Sequence, residues 1–129
     1  MEKPTVLISG PLISRDEQLL SEIKQIACVY KNTNNHKIES ILKKTRIDLL
    51  LLELLKSNRT GIEIVKKIKK EFPMIQVVLI NGNGNRDVIA EGFNDGIKDA
   101  FRVPYNRDLI VERVTAILGI NRGKIQSIN

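Results

Sequence analysis

Two textures of apolar sequence alternate along the chain. Short apolar runs lie at 6–8, 27–30, 49–55, 77–80 and 99–103, each bounded by polar or turn residues. Between them, apolar positions recur three and four apart: Leu19, Ile23 and Ile26; Ile38, Ile41 and Leu42; Ile64, Val65, Ile68 and Phe72; Ile89 and Phe93; and finally Ile110, Val114, Ile117 and Leu118. That spacing gathers each set on one helical face. The pattern predicts five strands, each followed by a helix. Strands joined through single helices run parallel with right-handed crossovers, so the expected fold is α/β, a doubly wound (βα)5 sheet with helices on both faces. Leu49 to Leu52 has no polar face, as befits a strand covered on both sides, and belongs at the middle of that sheet.

Punctuation agrees with this segmentation. Ser14 and Glu17 have capping-box spacing at the start of the first helix, Pro73 stops the third, and Gly119 follows the last apolar helical position. We divide the chain into one domain over 1–119 and a polar tail over 120–129. A length of 129 residues, 42% hydrophobic and 28% charged, fits one globular domain. No apolar run approaches the ~20 residues of a membrane span, and Met-Glu-Lys-Pro does not resemble a signal peptide, so a cytoplasmic chain with no membrane partner is expected.

Chemistry narrows the picture by subtraction. One cysteine and one histidine cannot build a soft-ligand metal site, and no metal or cofactor is expected. Cys28, among Ile26, Ala27 and Val29, reads as a small buried hydrophobe; His36, in KNTNNHK, reads as an exposed loop or helix-start residue. The formal net charge of +6 raises nucleic acid as a partner. The basic groups are Lys43, Lys44 and Arg46, then Lys66, Lys67, Lys69 and Lys70, and the second group faces away from Ile64, Val65 and Ile68 as a solvated helix surface does. With five aromatics, no Trp and no base-reading motif, nucleic acid is the minor alternative.

In an open parallel sheet, ligands gather beyond the carboxyl ends of the strands. Those ends carry Ser9 and Gly10, Glu53, Asn81 with the NGNGN loop, and Val103 with Pro104. The stretch IDLLLLELLKSNRTGIEIVKKIKKEFPMIQVVLI, with Asp48 ahead of the apolar run and Gly61 eight residues beyond Glu53, is followed by Gly96, Asp99 and Pro104 in NDGIKDAFRVPY. On these residues the sequence, from about residue 4 to residue 118, resembles the receiver domain of two-component response regulators. The resemblance implies a flavodoxin-like sheet of strand order 2-1-3-4-5, a cis peptide before Pro104, and a signalling role.

The active positions depart from the family's pattern. Receivers carry a phosphoryl-accepting Asp at the place of Glu53, a Mg²⁺-binding acidic pair at Ser9 and Gly10, a Ser or Thr at Asn81 and a Lys at Val103. Mg²⁺ needs hard oxygen ligands, generally carboxylates, and phosphoryl transfer depends on neutralised charge. Without them, a phosphate dianion beside Glu53 meets repulsion of about 4 kcal/mol per unit-charge pair at an effective dielectric near 20. The resemblance therefore implies a degenerate receiver, not an enzyme, whose work is binding a signalling partner. Glu53 is then either a built-in mimic of the phosphorylated state, bound by the Asn81 amide, or a plain strand-end residue solvated or paired with Lys56, Arg59 or Arg102. Ala100, where the family has an aromatic reporter, favours the plain reading.

Gly82, Asn83, Gly84 and Asn85 resemble the family's switch loop, with Arg86 opening the next helix. The expected interaction face is helix four, strand five and helix five, with Arg86, Ala100, Arg102, Arg107, Asp108, Glu112 and Arg113. Of these, Arg102, Arg107, Asp108, Glu112 and Arg113 are candidates for reciprocal ion pairs in a homodimer. Two alternatives stay open. One is an ordinary receiver phosphorylated on Glu53. The other is a flavin or nucleotide carrier using Ser9, Gly10 and Ser14, against which stand Pro11, lacking an N–H, and the bulk of Leu12.

Overall fold

The computed structural model describes residues 3–54, 59–81 and 86–120, with side chains from position 62 in the second segment and excluding that of position 88 in the third. In chain order the elements are β1 (Thr5–Ser9), a 3-10 turn (Ile13–Arg15), α1 (Glu17–Lys24), β2 (Cys28–Asn32), a second 3-10 turn (Asn35–Lys37), α2 (Ile38–Lys44) and β3 (Leu49–Leu54). Then follow α3 (Arg59–Glu71), β4 (Gln76–Asn81), α4 (Arg86–Asn94), β5 (Asp99–Arg102) and α5 (Arg107–Ile117). All strand pairs are parallel, as the alternating pattern predicts, and the order is β2-β1-β3-β4-β5, as the resemblance to receivers implies. β3 is central and wholly buried, which explains its unbroken leucines.

The period-two pleat sorts the strands into two cores. Val6, Ile8, Leu49, Leu51, Val78 and Ile80 pack toward α1 and α5; Leu7, Leu50, Leu52, Leu54, Val77 and Leu79 pack toward the helices of the opposite face. Fully burying a large aliphatic side chain contributes about 1.5–3 kcal/mol, so these two layers dominate stability. The same parity continues to the strand ends. Glu53 is in phase with Leu49 and Leu51, while Asn81, level with Leu54 across the sheet, is in phase with Val77 and Leu79.

Three expectations change, and the expected stop at Gly119 holds. The α1 cap is Asp16, whose Oδ1 accepts from Leu19 N–H at 3.1 Å, whereas Ser14 Oγ turns back to the Gly10 carbonyl. A 3-10 turn delays the helix start, so the capping box two residues earlier is not used. Cys28 is exposed because β2 is an edge strand, with a neighbour on one side only. Phe93 stands 47% exposed at the end of α4 and does not enter the core. Leu118 is the C-cap of α5, and Gly119 follows with φ +72°, a left-handed value that suits glycine. The proposed tail from 121 onward and the switch loop 82–85 lie outside the described residues.

Candidate functional site

At the carboxyl edge of the sheet, Glu53 is 2% exposed and Ser9, Asn32 and Asn81 are also buried. Pleat phase sends Glu53 toward the β1–α1 connection. Its Oε1 accepts hydrogen bonds from the backbone N–H groups of Leu12 at 2.9 Å and Ile13 at 3.0 Å. Charge-assisted bonds of this kind are about twice as strong as neutral ones. These donors stand where the sequence suggested the Asn81 amide, and the reason is the pleat: Asn81 is level with Leu54, not Glu53. Pairing of Glu53 with Lys56 or Arg59 concerns side chains outside the described set.

Gly10 makes this arrangement possible. A Cβ built there would overlap Glu53 Cβ and Oε1, and the backbone at Gly10 has φ +148°, which side chains disfavour. The empty side-chain position at 10 and the longer carboxylate at 53 are thus two halves of one fit.

Ser9 points to the opposite face. Its hydroxyl donates to Asn35 Oδ1 at 2.7 Å and accepts from Asn32 Nδ2 at 2.9 Å, while Asn35 Nδ2 donates to the Glu53 carbonyl at 2.9 Å. The ends of β1, β2 and β3 are stitched together by amides and a hydroxyl. Asn32 and Asn35 were not singled out from sequence; the asparagine-rich run KNTNN across the end of β2 was their signal.

A second cluster also escaped sequence reasoning. Asp16 Oδ2 accepts from the Tyr105 hydroxyl at 2.6 Å, and Arg107 Nε lies 2.9 and 3.0 Å from the two carboxylate oxygens. Burial pushes the Asp16 carboxyl up, but the Tyr105 hydroxyl, the Leu19 N–H and the Arg107 guanidinium outweigh it and hold the group below its ordinary value. Burial, reinforced by the hydrogen bond to Asp16, pushes the Tyr105 phenol far upward, so it stays a donor at neutral pH. The hydrogen bond to Asp16 likewise raises Arg107. Tyr105 follows the cis Val103–Pro104 peptide, found as the resemblance implied.

The donors of this edge do not fit Mg²⁺. Gly10 offers no side chain, the Ser9 hydroxyl is engaged with Asn32 and Asn35, one oxygen of Glu53 is held by two amides, and Asp16 is taken by Tyr105, Arg107 and Leu19. Among the described residues no three His, Cys, Asp or Glu side chains are grouped to hold a metal ion.

On the α4–β5–α5 face, Arg86, Arg102, Asp108 and Glu112 are exposed and Ala100 is half-buried. Val103 and Pro104 are exposed at the end of β5. Two candidate dimer charges are committed within the chain: Arg107 to Asp16, and Arg113, whose Nε lies 3.0 Å from Asp99 Oδ2. A shallow groove of about 300 Å³ between β5 and α5 is lined by Asp99, Phe101, Leu109, Glu112, Arg113 and Ala116. On α3, Lys66 pairs with Glu91, Lys67 with Glu39, and Lys69 donates to the carbonyls of Pro73 and Ile75. His36 is exposed in the second 3-10 turn. No helix among the described residues is long and apolar enough to cross a membrane.

A five-stranded parallel sheet of order 2-1-3-4-5, with polar residues at its carboxyl edge, defines the flavodoxin-like class. Within it, the response regulator receiver domain family model matches residues 12–115, and the chain belongs to that family, a receiver domain of two-component signalling. It is 30% identical over 102 residues to sporulation initiation phosphotransferase F of Bacillus subtilis, covering 78% of this chain and 82% of that protein. It is 33% identical over 82 residues to the nitrogen assimilation regulatory protein NtrX of Azorhizobium caulinodans, covering 60% of this chain but only 18% of that longer protein. It likewise spans 35% of the Caulobacter vibrioides regulator CtrA. Among solved structures, a CheY-like receiver domain protein from Methanospirillum hungatei superposes with a TM-score of 0.81 at 14% identity, over 92% of this chain and 95% of that one.

Proposed function

We propose that this receiver is degenerate: a non-enzymatic signalling module that binds its protein partner without being phosphorylated. The observation that carries the reading is the state of Glu53. Its carboxylate is buried and its Oε1 is held by the Leu12 and Ile13 amides, beside a Ser9 and Gly10 that supply no charge for a metal. A phosphoryl group would have to displace those amides and meet an un-neutralised anion. The partner face is α4–β5–α5, on which Phe93, Leu109, Arg102, Asp108 and Glu112 are all exposed. The ion pairs made by the α3 lysines support reading that helix as a solvated face and not as a nucleic-acid surface. The alternative of a phosphate-binding flavin loop gains nothing from Leu12, whose N–H is already used by Glu53.

The test is a titration with Mg²⁺ and beryllofluoride followed by amide NMR. Unmoved resonances at Ser9, Glu53 and Asn81 are expected; saturable shifts there overturn the reading. For self-association, sedimentation of the wild type and Arg113→Glu decides: a monomer unaffected by charge reversal removes the homodimer.

A further inference from the structure

Two anchors hold opposite ends of one short stretch of chain. At one end, Leu12 and Ile13 give their N–H groups to Glu53. Their carbonyls then accept from the N–H groups of Arg15 at 3.0 Å and Asp16 at 3.1 Å, closing the 3-10 turn. At the other end, the Asp16 side chain is gripped by Tyr105 and Arg107 from the β5–α5 connection. The stretch from 10 to 16 is therefore tied to the end of β3 on one side and to the start of α5 on the other.

The geometry points to a two-ended lock: Glu53 and the Tyr105–Asp16–Arg107 clamp together fix the β1–α1 connection, and loosening either end loosens the other. The lock goes beyond the interaction reading and stands or falls separately from phosphorylation. Its basis is reach and continuity. A buried N–H must keep a partner, and the Glu53 carboxylate supplies it for the buried Ile13 and also binds the N–H of the more exposed Leu12, across the space left open by Gly10. The rigid 3-10 turn carries the constraint onward, because its hydrogen bonds share the peptide units that Glu53 and Asp16 hold.

Side-chain length then matters more than charge at position 53. Aspartate, the family's residue, is shorter by about 1.5 Å and leaves both amides beyond hydrogen-bond range. Glutamine keeps the length and an acceptor oxygen. The lock therefore ranks Glu53→Gln as milder than Glu53→Asp, the reverse of the order expected if the position's business were accepting phosphate.

Native-state amide hydrogen exchange on the full chain tests this, with Leu12 and Ile13 compared against Leu50 and Val78 in the sheet core. Glu53→Asp should speed exchange at Leu12 and Ile13 roughly tenfold to a hundredfold relative to the core amides, and Glu53→Gln by clearly less. Tyr105→Phe should also speed exchange at Leu12 and Ile13, although its hydroxyl touches neither, and the double variant should rise by less than the product of the singles. Equal exchange in the Asp and Gln variants, wild-type rates at both amides in Tyr105→Phe, or multiplicative effects overturn the lock. Should Glu53→Asp fail to fold, Tyr105→Phe with Glu53→Gln still decides. Beryllofluoride shifts in the wild type would sink the phosphorylation-independent reading and leave these exchange rates to judge the lock.

Discussion

The carboxyl edge around Glu53 and the α4–β5–α5 face are built on opposite principles. At the edge, polar groups answer one another, most of them buried or half-buried: carboxylate to backbone amides, hydroxyl to amides, and phenol and the exposed Arg107 guanidinium to Asp16. On the face, Phe93 is exposed at the end of α4, and exposed Leu109 lines a shallow groove with Asp99, Glu112 and Arg113. A satisfied interior network resists change because each member left alone bears a desolvation cost. An exposed apolar and charged surface tolerates change but loses whatever docks on it. The difference separates the part of the molecule that keeps its shape from the part proposed to meet a partner.

That contrast can be broken by substitution, beginning at the edge. Gly10→Ala forces a Cβ into Glu53 at a disfavoured backbone angle and should destabilise the fold by about 3 kcal/mol in urea unfolding. Wild-type stability would show that the fit between positions 10 and 53 is loose. Glu53→Ala strips the acceptor from two amides and should cost about 2 kcal/mol by the same measurement.

Tyr105→Phe removes one bond to Asp16 and should cost about 1 kcal/mol. The acid limb of stability belongs to the same cluster. Because the folded Asp16 carboxyl lies below its ordinary value of 3.8, its contribution is fully present above that pH and is lost as pH falls through the lower native value. Thermal melts of Asp16→Asn should therefore show a shallower decline in acid than wild type, and an unchanged acid slope would contradict the clamp. At the small end, Leu109→Ser should shift stability by less than about 0.5 kcal/mol while weakening partner capture. A large loss of stability there would mean that the face belongs to the core after all.

Much of this molecule was legible in its residues, and the misses have physical causes. The alternation of strand runs with helical spacing gave all five βα units, because burial on two faces leaves a periodic trace in apolar positions. Glu53, Ser9, Gly10 and Asn81 were located as strand-end residues by the same logic. Their bonds were not: one of the two readings of Glu53 had the Asn81 amide hold it, and the pleat places them out of step. Cys28 looked buried among apolar neighbours, although the implied strand order already set its strand at the edge of the sheet. Ser14 was read as opening the first helix, and a 3-10 turn made Asp16 the cap.

The sequence by itself determined the layering of the fold and the uncharged residues Ser9, Gly10 and Asn81 at the ends of its strands, because periodicity and residue chemistry are local properties. Only the tertiary structure decided that Glu53 reaches the Leu12 and Ile13 amides over a bare Gly10, and that Asp16 meets Tyr105 and Arg107 from 89 and 91 residues away. Those contacts depend on the pleat phase of the central strand and on how two connections converge above the sheet, which no single stretch of chain contains.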